Sequence, residues 1–344
     1  MAELTAEMMM ESLYSLPDQF EYSMGLSFDL GSISKRNYHN LIISGLGGSA
    51  IGGDIIRSYA ASRLGIPVVV NRDYDIPAFV NQDTLFVAAS YSGNTEETLS
   101  SYRQARDRGA SILCITSGGE LASMAAADGF GLVKIPGGLM PRAATGYLFG
   151  ALVLALENAG LFSGVRAELE ETIALLKVIR EELKPELPAP GNRARAIAAG
   201  LKDSIPVIWG TAGISETVAL RWKTQINENA KCPAYYNIFP ELNHNELVGF
   251  EKPDAVLSKT TIIILQDEQD NERVKKRIEI TSSVIRDRVK DIIAVKSRGS
   301  SFLARFFSQV YLGDYVSVYL AEEYGINPTP VAVIDYLKAE LAKC

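Results

Sequence analysis

The chain has 344 residues, 47% hydrophobic and 22% charged, with a net charge of −7. That is enough for two domains of about 150 residues and too acidic for a general role on nucleic acid, which calls for a basic face. No apolar run reaches the roughly 18 residues that span a bilayer, and the opening "MAELTAEMMMESLYSLPDQF" is acidic and amphipathic, unlike a secretory signal. Cys114, Cys232 and Cys344 stand alone, without CxxC spacing or a pairable set, so a reduced, cytoplasmic setting is expected.

After a helical start, strand-like and helical runs alternate. "NLIISGLG" reads as a strand into a glycine turn and "SAIGGDIIRSYAASRL" as a helix. "IPVVVNRD", "TLFVAASYS", "ASILCITSGG" and "GLVKIPGG" read as further strands, with "TEETLSSYRQARDRG" a helix between two of them. This is the βαβ rhythm of a parallel sheet covered on both faces. "AATGYLFGALVLALENAGL" reads as a buried helix closing the unit, and a charged helix, "VRAELEETIALLKVIREELK", leads to the proline-rich linker "PELPAPGN". The rhythm then restarts. "IPVIWGTAG", "TTIIILQD" and "DIIAVKS" read as strands; "SETVALRWKTQINENAK", "NERVKKRIEITSSVIRDRV" and the long "FLARFFSQVYLGDYVSVYLAEEYG" read as helices. The expected division is an N-terminal domain over 1–150, a helix and linker over 151–192, and a C-terminal domain over 193–344.

Two loops carry the chemistry of the first half. In "IISGLGGSAIGGD", Gly45, Gly47 and Ala50 imitate the G-x-G-x-x-G/A turn of dinucleotide folds. A nicotinamide site should add an acidic residue at the end of the second strand; Asp73 is near, but it follows Asn71 and Arg72. A packing turn with no ligand and a smaller anion reached by Ser49 are the other readings. "SYSGNTEETL" places Ser90, Ser92 and Thr95 where a strand gives way to a helix. Asn94 with Glu97 reads as a capping box, which explains one or two of these residues and not the whole set. Two such loops at the carboxyl ends of neighbouring parallel strands converge on one crevice. Hydroxyls, amides and helix dipoles there suit a phosphomonoester. No lysine of the GK[ST] kind is present for a P-loop.

The pairing of "GLGGSAIGGD" with "SYSGNTEETL" resembles the sugar isomerase (SIS) domain. With "PRAATGY", "INENAK", "ELNHNELVGF" and "IDYLKAEL", the whole chain is similar to the bifunctional phosphoglucose/phosphomannose isomerase family. The resemblance implies an α/β chain of two SIS-like doubly wound parallel-sheet domains with flanking helices, the site in the cleft between them. It implies aldose–ketose isomerisation of glucose 6-phosphate and mannose 6-phosphate to fructose 6-phosphate through a cis-enediolate. Ser49, Ser90, Ser92 and Thr95 would bind the 6-phosphate beside the backbone of Gly47 and Gly48. Glu228, otherwise a helix-surface carboxylate, would be the proton-transferring base. His244 would open the ring, a task suited to an imidazole, and Lys338 would assist at the ring oxygen. Arg142, otherwise a cap or salt bridge, would lie beside the enediolate oxygens. His39 reads as structural.

No His/Cys/Asp/Glu set has metal-ligand spacing, and neither a metal nor another cofactor is expected. The expected partners are a sugar 6-phosphate and a second copy of the chain that completes the site, with no nucleic acid and no membrane. A non-enzymatic sugar-phosphate sensor would keep the phosphate loops but has no need of Glu228 and His244. An amino-sugar phosphate isomerase would ordinarily accompany an amidotransferase domain, of which the sequence shows no sign.

Overall fold

The computed structural model describes residues 5–28, 30, 33, 37–341 and 343; Cys344 lies outside them. The chain forms two compact units, one of Ser15–Lys177 with Gly299–Arg305, the other of Met1–Tyr14, Val178–Arg298 and Phe306–Cys344. Residues 151–177, expected in a connecting segment, thus belong to the first unit, and the segment ending at Tyr14 belongs to the second. Among the described residues no helix is long and apolar enough to cross a membrane.

The first unit is built on five parallel strands: β1 (Asn40–Ser44), β2 (Val68–Asn71), β3 (Thr84–Ala89), β4 (Ser111–Thr116) and β5 (Gly131–Lys134). Their order is β2-β1-β3-β4-β5. Every residue of β1, β3 and β4 is buried, as short unbroken apolar runs require when both faces of a parallel sheet are covered. Helices Gly48–Ala60, Glu96–Asp107, Gly119–Asp128 and Thr145–Asn158 alternate with the strands or follow them. One core cluster joins Ile42, Phe86, Ile112 and Cys114 of the sheet to Leu99, Tyr102 and Ala105 of the second of these helices. Burial pushes the Cys114 thiol up to about 12, so it packs there as an uncharged group.

The second unit has four parallel strands: β6 (Ile205–Thr211), β7 (Tyr235–Phe239), β8 (Thr260–Gln266) and β9 (Asp291–Lys296). The order is β7-β6-β8-β9. Strand β7 is not among the strands read from the sequence; it sits at the sheet edge with Tyr235 and Tyr236 exposed, so it lacks the buried apolar run that marks β6 and β8. Trp209, Phe239, Phe250, Ile262 and Ile264 form the core on one side. Helix Glu216–Gln225 is locked to the long helix Phe302–Glu323 by a buried pair, Arg221 Nε to Asp314 Oδ1 at 2.9 Å and Nη2 to Oδ2 at 2.7 Å. Gln225 adds a third donor, its Nε2 reaching Asp314 Oδ1 at 3.1 Å.

Candidate active site

Strands β1 and β3 are neighbours, but β1 leads on to β2 at one side while β3 leads to β4 at the other. Their carboxyl ends therefore flank the point where the winding reverses, the place where doubly wound sheets bind ligands. Both hydroxyl-bearing loops leave from there. Ser49 Oγ accepts the Tyr91 N–H at 3.2 Å, tying one loop to the other. Ser90 Oγ lies 2.9 Å from Thr95 Oγ1 and accepts the Gly93 N–H at 3.1 Å. Ser92 Oγ accepts the Asn94 N–H at 3.3 Å. Ser49 and Ser90 are buried, Thr95 is half-buried, and Ser92 and Gly47 are exposed.

Glycine is required at two of these positions. Gly93 has φ +72° and a Cβ there would overlap the Gly118 carbonyl. A Cβ at Gly48 would meet Pro141 O at 2.7 Å and Arg142 N at 3.0 Å. That close approach brings the segment carrying Arg142, itself 4% exposed, against the first loop.

The expected capping box is not formed. Thr95, not Asn94, is the N-cap of helix Glu96–Asp107, and its side chain makes no cap bond. Asn94 Oδ1 instead accepts the Glu120 N–H at 2.9 Å, at the start of the next helix. Gly47, the N-cap of helix Gly48–Ala60, likewise supplies no side-chain acceptor. Two helix N-termini at the switch point thus lack side-chain caps, which suits an incoming anion. Glu96 and Glu97 work against this from the first turn, although the Glu96 carboxylate is engaged by Tyr74 Oη at 3.2 Å.

The other three residues stand on three segments of the second unit. Glu228 is half-buried in a π-helical turn, Ile226–Ala230, that ends at Lys231 with φ +55°. Such turns are frequent at functional sites. Lys231 Nζ donates to Glu228 O at 2.6 Å and to Pro328 O at 2.9 Å. Asn229 Nδ2 donates to Ser317 Oγ at 2.9 Å. His244 is exposed at the end of a 3-10 turn, Glu241–His244, that follows β7. Lys338 is exposed on helix Ala332–Leu341, which buries no residue. A separate cavity of about 420 Å³, lined by Asp267, Asp270, Lys275 and Lys296 among others, contains none of the expected site residues.

Sequence reasoning missed the parts that hold these residues in place. Tyr91 links the two hydroxyl loops, and Glu246 fastens the His244 loop by bonds to Trp209 and Asn237. No local pattern announces either, because both act on residues distant in the chain.

Residues 34–128 match the SIS domain model, and residues 191–341 match that of the bacterial phospho-glucose isomerase C-terminal SIS domain. The bifunctional phosphoglucose/phosphomannose isomerase of Caldicellulosiruptor bescii is 46% identical, covering 97% of this chain and 99% of its own. That of Aquifex aeolicus is 37% identical with the same coverage. Among solved structures, the C-terminal domain of glucosamine-fructose-6-phosphate aminotransferase from Francisella tularensis superposes with a TM-score of 0.72, covering 94% of this chain and 98% of that one, at 16% identity, a likeness of fold alone. The chain belongs to the bifunctional phosphoglucose/phosphomannose isomerase family.

Proposed function

We propose that the chain interconverts glucose 6-phosphate and mannose 6-phosphate with fructose 6-phosphate through an enediolate, as a soluble cytoplasmic enzyme. The observation that carries this reading is the convergence of Ser49, Ser90, Ser92 and Thr95 with two helix N-termini lacking side-chain caps at the β1/β3 switch point, in a chain of this family. These hydroxyls, with the backbone at Gly47 and Gly48, hold the 6-phosphate. His244 and Lys338 open the ring: His244 takes the proton of the C1 hydroxyl, the C1–O5 bond breaks as the C1 aldehyde forms, and His244 delivers that proton to O5, which Lys338 steadies. The Glu228 carboxylate then takes the C2 proton. The C–H electron pair becomes the C1–C2 double bond, and the carbonyl pair moves onto O1. Arg142 stabilises that oxyanion, a preorganised charge of the kind that often dominates such catalysis. A proton passes from O2 to O1, Glu228 returns its proton to C1, and the C2 ketone forms.

Glucose and mannose phosphates differ only at C2, which is flat in the enediolate. One carboxylate serves both when the open chain turns to present either C2 hydrogen.

The enzyme works as a homodimer in which the partner subunit's copy of the His244 loop completes each site. Support comes from exposed apolar side chains on the segments flanking His244 and on the helix that carries Lys338. Tyr235 and Val248 are 58% and 69% exposed, and Val333, Tyr336 and Leu337 are 83%, 68% and 57% exposed. Apolar surface of this kind marks association, and two-fold dimers are the commonest form of it.

Coupled assays with glucose 6-phosphate and mannose 6-phosphate, run with a chelator present, test the reading. Both sugars are expected to turn over and to compete with each other. No turnover of either leaves a sensor, and independent inhibition of the two contradicts a shared site.

A further inference from the structure

We propose that Glu246 is a positioning residue for His244, an inference that rests on the ring-opening role given to His244 above. Glu246 lies two residues beyond His244 and is half-buried. Its Oε1 accepts the indole N–H of Trp209 at 2.9 Å, and its Oε2 accepts from Asn237 Nδ2. Trp209 and Asn237 are directly paired across β6 and β7, so one carboxylate grips a cross-strand pair. Neither donor is free to move. Trp209 is fully buried, with Phe239 and Phe250 edge-on at centroid distances of 5.7 and 5.5 Å. The Asn237 amide is oriented by the Ile238 N–H, which its Oδ1 accepts at 2.8 Å.

The rest of the loop is fastened as well. Asn243 Nδ2 donates to Thr281 Oγ1 at 2.8 Å, and Asn245 Nδ2 to Glu241 Oε1 at 3.0 Å. Leu242 is fully buried. His244 is thus an exposed imidazole between two tied points, at Asn243 and Glu246. A carboxylate suits the second point because both partners are donors and it accepts from both; an amide accepts through one atom only. Displacing a catalytic group by about 1 Å costs on the order of 100-fold in rate, so the geometry of this grip bears directly on ring opening.

The test is a double-mutant cycle of Glu246→Gln with His244→Ala, read as kcat and KM for glucose 6-phosphate, with hydrogen exchange over residues 241–251. Glu246→Gln is expected to lower kcat about 10- to 100-fold with KM within about twofold, and to speed exchange in this segment alone. In the His244→Ala background it should cost nothing further, because the group it positions is gone. Should Glu246→Gln fail to fold, Asn237→Ala removes one arm of the grip and should show the same non-additivity with a smaller loss. Losses that multiply, or wild-type kcat in Glu246→Gln, overturn the inference and leave the role of His244 standing. Full activity in His244→Ala overturns the ring-opening role itself, and the positioning role with it.

Discussion

Thr95 occupies the N-cap of helix Glu96–Asp107 without capping it, and its hydroxyl is shared with Ser90 at 2.9 Å. A Thr95→Val variant is therefore expected to leave helix and fold intact while removing one proposed partner of the phosphate. Loss of a hydrogen bond to a charged group costs about 1.5–3 kcal/mol. KM for glucose 6-phosphate should rise about 10- to 100-fold with a smaller change in kcat, and an unchanged KM would remove Thr95 from the anion site. The small hydroxyls were legible because a buried strand has no use for so many of them at its end. Asn94 was not: a side chain three residues before a glutamate reads as a cap, yet its bond goes to the Glu120 N–H, across 26 residues of chain. Glu246 was hidden for the same reason, since its partners Trp209 and Asn237 meet it only once β6 and β7 pair.

Among elements, the π-helical turn at Ile226–Ala230 depends on how its helix is held. The Arg221–Asp314 pair, each side chain 2% exposed, fixes the helix before the turn. The Asn229–Ser317 bond fixes the turn itself. Removing one partner of such a buried pair strands the other charge and costs about 3–5 kcal/mol. Asp314→Ala should accordingly lower the denaturant midpoint sharply, whereas Lys252→Ala, which breaks an ion pair exposed on both sides, should be nearly silent. Equal effects would contradict the assignment. Strands β1, β3, β4, β6 and β8 could be read from their apolar runs, because two-sided burial demands such runs. The edge strand β7 and the π turn could not. The first exposes its tyrosines, and the second is held by the bond from its Asn229 to Ser317 on helix Phe302–Glu323, 88 residues further along the chain.

At the scale of the whole molecule, the proposed dimer predicts complementation. Glu228→Gln and His244→Ala variants are each expected to keep only a small, measurable fraction of wild-type turnover. Mixed and allowed to exchange subunits, they should regain part of the activity through hybrid dimers in which one site keeps both groups. Full activity in a species that sediments as a monomer would refute the shared site. The central claim is that Glu228 moves the proton, and it is tested most directly by exchange of the substrate C2 hydrogen with solvent deuterium. Glutamine keeps the size of the side chain and cannot accept the proton. Loss of a positioned base costs about 10²–10⁴ in rate. The wild-type enzyme should exchange the C2 hydrogen of both glucose 6-phosphate and mannose 6-phosphate, and folded Glu228→Gln should lose both exchanges together with turnover while still binding a five-carbon phosphate acid that resembles the enediolate. A folded Glu228→Gln enzyme that exchanges either hydrogen at a near-normal rate would contradict the account.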